Sequence, residues 1–298
     1  MVRIGVDFGG TKIEAAALDG ADSVRARIRV PNPGSYDAAL LAVRDLVARV
    51  EREAGPGASV GVCIPGSPSP ATGLIRNANS TWLNGRPFRK DLAACLGRPI
   101  RIANDANCFA LSEAKAFPTA RAVFGVILGT GCGGGLVIDG EVLEGANGIG
   151  GEWGHMPLPW AQPDEYPGPA CWCGRRGCME QWVSGEAFEA DYARGTGEAL
   201  EAKRIVEAAT GGEPRARAAL DRYVERLARG LAVVCDVADP EVIVLGGGMS
   251  NTDALYTEVP PRLARHVFSD VCTTRLEKAR HGDSSGVFGA AWLWPLSQ

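Results

Sequence analysis

The sequence predicts an α/β fold divided into two domains. The chain has 298 residues, and at about 150 residues per domain this length suggests two of them. Apolar strand patterns alternate with amphipathic helical patterns along the chain, which favours an α/β sheet. Two strand patterns also end in similar glycine turns, FGGT at residues 8–11 and LGTG at residues 128–131. This weak similarity indicates one structural plan used twice.

Composition and charge exclude several classes of protein. Hydrophobic residues make up 46% and charged residues 22% of the chain, a balance that argues against a mainly disordered protein. The 31 basic and 35 acidic residues give a net charge of -4, so the chain lacks the bulk positive field of a non-specific nucleic-acid binder. No run of 18 apolar residues predicts a membrane span, and the start MVRIGVDFGG lacks the apolar core of a signal peptide. We therefore expect a cytoplasmic protein.

The first half of the chain opens with strands. Apolar runs over residues 2–8, 14–18 and 24–30 predict three strands, and the glycine pair after the first favours a β-meander over a Rossmann unit, in which a helix follows the glycines. Apolar residues at helical spacing predict a helix over 37–53. Shorter patterns predict strands over 60–64 and 99–103 and a helix over 91–96.

The second half repeats the alternation with longer helices. A strand predicted over 122–128 breaks at GTGCGGG (residues 129–135) and resumes over 136–138, ahead of an Asp-Gly hairpin turn. Residues 157–177 are rich in Pro, Gly and Cys and predict a loop or a metal-held segment. A long amphipathic helix over 216–237, a strand over 242–245 and a helix over 286–294 follow.

Three glycine-rich loops each follow a predicted strand. They are DFGGTK (Asp7 to Lys12), GTGCGGG (129–135) and GGGM (Gly246 to Met249). Glycines let backbone amides approach an anion closely, and Asp7 at a strand end can hold Mg²⁺ through water. For the first loop alone, a plain hairpin turn capped by Asp7 is an equal alternative. Three such loops at strand ends are hard to explain by turn chemistry alone, and none matches the P-loop or the GxGxxG pattern.

An acidic motif, ANDAN at residues 103–107, follows a predicted strand and precedes the helical pattern CFALSEA. Asp105 can accept a proton from a substrate hydroxyl, and Asn104 can bind neighbouring hydroxyls. Phosphoryl transfer needs mostly positioning, charge neutralisation and one such carboxylate. On the residues alone, capping of the following helix is the favoured alternative, because Asn and Asp are preferred caps.

A fourth motif has the spacing H-x15-C-x-C-x4-C, formed by His155, Cys171, Cys173 and Cys178. Thiolates and imidazole suit tetrahedral zinc, and four protein ligands make a structural site. The alternative is a set of reduced, unliganded thiols. Glu152 and Glu180 flank the cluster. Carboxylates accept several hydrogen bonds from sugar hydroxyls, although ordinary surface charge is the alternative for both.

These motifs together resemble the ROK family of bacterial sugar kinases. The resemblance is carried by DFGGTK, ANDANCFALSEA, GTGCGGG, GGEWGH, CWCGRRGCMEQWVSG and VIVLGGG, and it extends from residue 2 to AAWLW at 290–294. It implies an actin-like (ribonuclease H-like) two-domain α/β fold, with ATP and sugar in the interdomain cleft and closure that excludes water. The implied N-terminal domain covers residues 1–117 plus 283–298 and the C-terminal domain residues 118–282. Trp172 departs from the small or polar residue that many relatives carry between the first two cysteines, but it leaves the ligand spacing intact.

The resemblance also implies residue roles. Asp105 becomes the catalytic base, Asp7 helps to place Mg²⁺, and His155 serves zinc and sugar with one ring nitrogen each. The implied sugar-binding residues are Asn79, Asn104, Asp105, Glu152, His155 and Glu180. The implied nucleotide-binding residues are Asp7, Gly9, Gly10, Thr11, Lys12, Gly129, Thr130, Gly131, Cys132, Gly133, Gly246, Gly247, Gly248 and Met249.

Within the family, NANSTWLNG, EWGHMPLPW and HGDSSG look most like bacterial fructokinases with mannokinase activity. The expected reaction is therefore phosphorylation of D-fructose to fructose 6-phosphate, with a kinase for mannose, glucose or N-acetylhexosamine as the alternative. A non-catalytic sugar sensor and an actin-like structural ATPase are more distant alternatives. ROK repressors carry an N-terminal helix-turn-helix domain, for which a strand starting at residue 2 leaves no room. We expect ATP, Mg²⁺ and Zn²⁺ as cofactors and a homodimer.

Overall fold

The protein is described here by a computed structural model, which covers residues 2–56 and 58–295. It divides into two compact units. Unit 1 comprises Met1–Ala116, Glu141–Gly150 and Asp283–Gln298, and unit 2 comprises Phe117–Gly140 and Gly151–Gly282. The division made from the sequence left residues 141–150 with the C-terminal domain. Residues 1, 57 and 296–298, assigned from the sequence to the N-terminal domain, lie outside the described residues.

Unit 1 is built on a five-stranded sheet with the order β3-β2-β1-β4-β7. Its strands are β1 (Arg3–Phe8), β2 (Lys12–Leu18), β3 (Val24–Pro31), β4 (Ser59–Ile64) and β7 (Ile100–Asn104). A small hairpin is formed by β5 (Ser67–Pro68) and β6 (Ile75–Arg76). The helices are α1 (Tyr36–Ala54), α2 (Phe88–Leu96), α3 (Asp105–Ala114) and α9 (Ser285–Trp292), and the short strand β10 (Glu141–Val142) also belongs to this unit. The predicted opening meander is present, because β1 pairs antiparallel with β2 and β2 with β3.

The two faces of this sheet carry different residues because side chains alternate along a strand. Ile4, Val6 and Phe8 pack on one face in a core shared with α1. On the other face, two glycines make room for α9. A Cβ on Gly5 would lie 1.8 Å from the carbonyl oxygen of Val287, and one on Gly61 would lie 1.8 Å from that of Ala290. Helix α9 therefore packs directly on the strand backbones.

Residues 141–150 pack with unit 1 through the β5–β6 hairpin. The Arg76 guanidinium donates to the carbonyl oxygen of Asn147 at 2.9 Å. A Cβ on Gly148 would lie 3.2 Å from the Pro70 ring. These contacts attach residues 141–150 to unit 1, although they are distant in sequence from the β5–β6 hairpin.

Unit 2 contains the strands β8 (Ala122–Leu128), β9 (Cys132–Ile138), β11 (Val242–Gly246) and β12 (Arg275–Lys278), adjacent in the order β9-β8-β11-β12. Its helices are α4 (Glu180–Val183), α5 (Gly185–Thr196), α6 (Ala202–Thr210), α7 (Pro214–Ala238) and α8 (Ala254–Leu263). Helix α7 lies at the centre, with Leu220, Val224 and Leu227 in the core of the unit. Helices α5, α6 and α8 pack around it. Over the described ranges, none of the helices combines the length and apolar character of a membrane span.

The strand after the second glycine loop begins earlier than predicted. Strand β9 starts at Cys132, not residue 136, and pairs antiparallel with β8 from Leu128 onward. The glycines at 133–135 lie inside the strand, and close packing accounts for Gly134. A Cβ on Gly134 would lie 2.5 Å from the Trp153 ring and 2.9 Å from the carbonyl oxygen of Gly151. The turn itself is limited to Gly129, Thr130 and Gly131.

Candidate active site

The carboxyl ends of three parallel strands meet at one edge of the unit 1 sheet. Strands β1 and β4 pair so that Asp7 lies opposite Cys63, and β4 and β7 pair so that Ile64 lies opposite Asn104. Asp105 follows directly as the first residue of α3. The parallel pairing therefore places the Asp7 and Asp105 carboxylates at the same edge, as carboxyl ends of parallel strands do.

Asn104 is the N-cap of α3. The sequence alone did not decide whether Asn104 or Asp105 caps this helix. The Asn104 Oδ1 accepts the backbone N–H of Asn107 at 2.8 Å, which caps α3. The Asp105 Oδ1 accepts the N–H of Ala106 at 2.9 Å. Desolvation by the surrounding protein raises the pKa of Asp105 above the usual aspartate value, and backbone hydrogen bonds from Ala106 and from Asp105 itself oppose the rise. Because the residue is exposed, this carboxylate of increased basicity is open to a ligand.

The pKa of the Asp7 carboxyl is also raised. Burial raises its pKa from 3.8 to about 6; the charges of Glu14 and Asp105 add to the rise, and a hydrogen bond from the Cys63 thiol opposes it. A Cβ on Gly286, in the first turn of α9, would lie 3.0 Å from the carboxylate carbon. Neither Cys63 nor Gly286 was singled out by sequence reasoning, because both contacts join residues far apart in the chain.

The first glycine loop is the hairpin between β1 and β2. Gly10, Thr11 and Lys12 are exposed there. The Asn32 side-chain amide donates to the carbonyl oxygen of Gly9 at 2.7 Å, and the Asn32 N–H donates to that of Thr11 at 2.9 Å. These two bonds hold the turn while leaving its outer surface open to a ligand.

Asn79 lies in an exposed bend after β6. The bend is closed by Asn84, whose side chain accepts the N–H of Ala78 at 2.9 Å and donates to its carbonyl oxygen at 3.0 Å. A Cβ on Gly10 would meet the Ser80 hydroxyl at 3.4 Å. The segment that carries Asn79 therefore lies beside the first glycine loop.

In unit 2 the other two glycine loops meet each other. Gly247 has a φ of +82°, and a Cβ there would lie 2.5 Å from the carbonyl oxygen of Leu128. The N–H of Gly185, at the start of α5, donates to the carbonyl oxygen of Gly129 at 2.7 Å. The N-terminus of α5 thus joins the two loops, which sequence patterns did not indicate. Of the predicted nucleotide-binding residues here, Thr130 is exposed, whereas the Met249 side chain is in the core.

The predicted metal ligands lie together. One ligand atom from each of His155, Cys171, Cys173 and Cys178 lies within 4.8 Å of all the others. The Cys171 Sγ is 3.6 Å from the His155 Nδ1, and the Cys173 Sγ is 3.6 Å from the Cys178 Sγ. A zinc ion about 2.3 Å from each sulfur of a tetrahedron would give sulfur–sulfur distances of about 3.8 Å. The four side chains therefore fit zinc, and all nine cysteines are free thiols.

Glu180 connects the cluster to the second glycine loop. Its Oε2 accepts the backbone N–H of Cys132 at 3.2 Å, and its Oε1 accepts the indole N–H of Trp172 at 2.8 Å. A Cβ on Gly131 would lie 2.8 Å from Oε2, so only glycine leaves room for this approach. Glu180 is half-buried, and both of its carboxylate oxygens accept hydrogen bonds from the protein.

Glu152 precedes a short 3₁₀ helix, Trp153–His155, and His155 is its last residue. The Trp153 indole N–H donates to the carbonyl oxygen of Gly133 at 3.0 Å and fixes this turn against β9. Glu152 is exposed and His155 is half-buried. Because the His155 Nδ1 faces Cys171, its Nε2 is the ring nitrogen left for another partner.

A buried ion-pair network fixes the loop that precedes the three cysteines. Glu165, which is 7% exposed, accepts from Arg226 and Arg229 of α7 at 2.8 Å each. Arg226 also donates to Asp191 at 2.8 Å, and Arg229 donates to the carbonyl oxygen of Trp160 at 2.8 Å. The sequence showed only scattered charges here, since a buried network cannot be recognised from spacing.

The profile of the ROK family matches residues 3–296. The chain belongs to the ROK family. It is 42% identical to an N-acetyl-D-glucosamine kinase of Escherichia coli over 97% of this chain and 98% of that protein. It is 32% identical to the ROK hexokinase of Thermus thermophilus, with a TM-score of 0.88 over 98% of this chain and 97% of that one.

A ROK family glucokinase from Streptomyces griseus, solved with glucose and AMPPNP, is 27% identical with a TM-score of 0.74 over 98% of both chains. The predicted family and the predicted two-domain α/β sugar kinase fold are therefore confirmed. The chain is a ROK sugar kinase. The fructose assignment gains no support from these relatives, which instead favour the alternative of an N-acetylhexosamine or glucose kinase.

Proposed function

We propose that this ROK sugar kinase transfers the γ-phosphoryl group of ATP to a hydroxyl of a hexose, with N-acetyl-D-glucosamine as the preferred substrate and Asp105 as the general base. The observation that carries the catalytic role is the exposed Asp105 carboxylate at the carboxyl edge of the unit 1 sheet, with its pKa raised by desolvation. The sugar preference rests on the 42% identity to the N-acetyl-D-glucosamine kinase of E. coli over nearly the whole chain.

Asp105 would act on the hexose hydroxyl. Its carboxylate takes the hydroxyl proton while the hydroxyl oxygen bonds to the γ-phosphorus, and the bond from that phosphorus to the bridging oxygen of ADP breaks. A carboxylate with a raised pKa is a stronger base than a solvated one. Asn104 would position the sugar through its side-chain amide, which is not used by the cap. Asp7 would help to place the Mg²⁺ ion of Mg-ATP, most readily through water.

The remaining proposed roles are those that the resemblance to ROK kinases implies. Glu152, Glu180 and the Nε2 of His155 would bind hexose hydroxyls, and Asn79 would contribute from its exposed bend. The glycine loops would surround the nucleotide phosphates, where exposed backbone amides favour anions. In the second unit, backbone hydrogen bonds from Gly129 to Gly131 and from Gly185 to Gly129 hold the second loop against the N-terminus of α5.

A zinc ion is proposed for His155, Cys171, Cys173 and Cys178. A four-ligand site of this kind is structural, and bound zinc would supply a fixed geometry for the segment that carries His155 and Glu180. The ligand spacing described above supports this proposal. We also propose a homodimer, to be checked by light scattering.

A coupled ADP-release assay tests the function. We expect Mg-ATP with N-acetyl-D-glucosamine to give the highest kcat/KM in a panel that includes glucose, mannose, N-acetylmannosamine and fructose. Mass spectrometry of the product should show one added phosphoryl group. The highest kcat/KM with fructose would restore the sequence-based assignment, and the absence of ADP from every sugar would refute the proposed kinase reaction.

The Asp105→Asn variant tests the base. This change keeps the shape of the side chain but removes its proton acceptor, so kcat should fall by about 10²–10⁴-fold with little change in hexose affinity. Asn104→Ala is the matched comparison, because it weakens a helix cap and a sugar contact while leaving the base in place. Near-normal kcat in Asp105→Asn would remove Asp105 from the catalytic role.

A further inference from the structure

Trp172 stands between the first two cysteines of the cluster, and its side chain is 64% exposed. It has two specific contacts despite this exposure. The indole N–H donates to the Glu180 Oε1 at 2.8 Å, and the ring meets the His155 ring edge to face with centroids 4.9 Å apart and planes at 85°. Both partners are residues that the proposed function places against the hexose. A large exposed aromatic side chain next to them therefore calls for a functional explanation.

The indole hydrogen bond fixes the orientation of Glu180. A carboxylate offers about four lone-pair positions on its two oxygens. On Oε1 the Trp172 indole N–H donates at 2.8 Å and the Cys171 thiol makes a longer contact at 3.9 Å, and on Oε2 the Cys132 backbone N–H donates at 3.2 Å. These contacts hold the plane of the carboxylate and leave a position on Oε2 for a ligand hydroxyl. Without the indole, Oε1 keeps only the long thiol contact, and the orientation of Glu180 is held less firmly.

The exposed part of the ring provides an apolar surface. Tryptophan combines a polar N–H with a large apolar body, and this body is left in solvent while the N–H is used. A hexose presents C–H groups between its hydroxyls. Packing those groups against the ring would remove apolar surface from water on both sides.

We propose that Trp172 is a positioning and specificity-determining residue, which holds Glu180 through its indole N–H and packs its ring against the C–H groups of the bound hexose. The inference rests on the proposed function, since it requires that Glu180 and His155 bind the sugar. It concerns a position that sequence comparison marks as a departure from the small or polar residue of many ROK kinases.

Two substitutions separate the two roles. Trp172→Phe keeps an aromatic ring and removes the N–H, whereas Trp172→Ala removes both. Loss of a hydrogen bond to a charged group predicts a rise of about tenfold in the hexose Kd and KM for Trp172→Phe. Loss of the ring as well predicts a rise of about 100-fold for Trp172→Ala. The KM for ATP and kcat should change by less than about threefold in both variants, because phosphate binding and the base are untouched.

A matched control is Trp160→Phe. Trp160 is 52% exposed and stacks on His266 with centroids 5.6 Å apart, so it is a second exposed tryptophan of unit 2 with an imidazole neighbour. The Trp160→Phe substitution should leave the hexose Kd unchanged. Zinc content by mass spectrometry and the melting temperature should match the wild type in all three variants.

Isothermal calorimetry with N-acetyl-D-glucosamine and glucose, in the absence of ATP, gives a readout that does not depend on turnover. A wild-type hexose Kd in Trp172→Phe, or a loss of zinc that accounts for the whole effect, would overturn the inference. If the wild type binds a hexose but releases no ADP, the proposed kinase reaction fails and the Kd ratio still decides the role of Trp172. If it binds no hexose at all, both fail together.

Discussion

Substitution of Asp7 by asparagine should stabilise the protein at neutral pH. Burial is the main cause that raises the pKa of this carboxyl from 3.8 to about 6, so the folded protein holds its proton more tightly than the unfolded chain does. At about 1.4 kcal/mol for each pH unit, the difference corresponds to about 3 kcal/mol. Ionised Asp7 therefore costs about this much stability at neutral pH, and an uncharged amide of the same shape avoids the cost.

The sign of the pH dependence follows from the raised pKa. The stability that protonated Asp7 contributes is fully present below pH 3.8 and is lost as the pH rises through about 6. Asparagine binds no proton, so the stability of Asp7→Asn relative to the wild type should increase by about 2–3 kcal/mol between pH 4 and pH 7.5. At roughly 2–4 °C per kcal/mol, the gain in melting temperature should grow by about 5–10 °C over this range.

Calorimetry and urea unfolding across this pH range would measure the effect, with Asp270→Asn as the control because Asp270 is exposed. A stability difference between Asp7→Asn and the wild type that stays constant with pH would refute the reasoning. The same variant should lose most kinase activity, since Asp7 is proposed to place Mg²⁺. A gain in stability with a loss of activity would indicate that the Asp7 charge lowers the free energy of unfolding but is needed for catalysis.

Three further substitutions give distinct expected results. Cys173→Ala should remove zinc, measured by mass spectrometry of the intact protein, and lower the melting temperature, because three ligands hold the metal less tightly than four. Gly286→Ala should leave the melting temperature unchanged but lower kcat/KM about tenfold, since its Cβ would press on the Asp7 carboxylate at 3.0 Å. Glu165→Gln should destabilise the protein by about 3–5 kcal/mol in urea unfolding, because it leaves buried Arg229 without its carboxylate partner and buried Arg226 with Asp191 alone. The same change at the exposed Glu207 should cost less than about 1 kcal/mol.

Elements with a clear apolar pattern were predicted closely from the sequence. Strand β8 has the predicted bounds, and the helix predicted over 37–53 is present as α1, Tyr36–Ala54. Elements with a weaker or broken pattern were missed. Helix α6 has only Ile205 and Ala209 buried, and α8 continues through two internal prolines, which ordinarily end a helix. The start of β9 was misplaced because its glycines are typical of turns.

The candidate site also combines features that the sequence predicts with contacts that it does not. The spacing of the candidate zinc ligands and the position of the glycine turns at strand ends made both recognisable from the residues alone. For Asp105 the residues alone favoured a helix cap, and its proposed role as base came from the resemblance to the ROK family. The contacts that tune them could not be predicted. Cys63 reaches Asp7 only through the pairing of β1 with β4, and Trp172 reaches Glu180 only once the loop is wrapped around the cluster. Such contacts depend on tertiary structure, and no local pattern encodes them.

The packing of α9 on the first sheet has a consequence for biosynthesis. Gly5 and Gly61 are kept free of side chains for a helix, Ser285–Trp292, that leaves the ribosome last among the described helices. Unit 2 draws only on residues 117–140 and 151–282, so its core does not depend on that helix. One glycine-lined face of the unit 1 sheet stays uncovered until the helix is available, although the strands of this sheet are translated much earlier. Folding of unit 1 in the cell should thus finish long after its strands have been made.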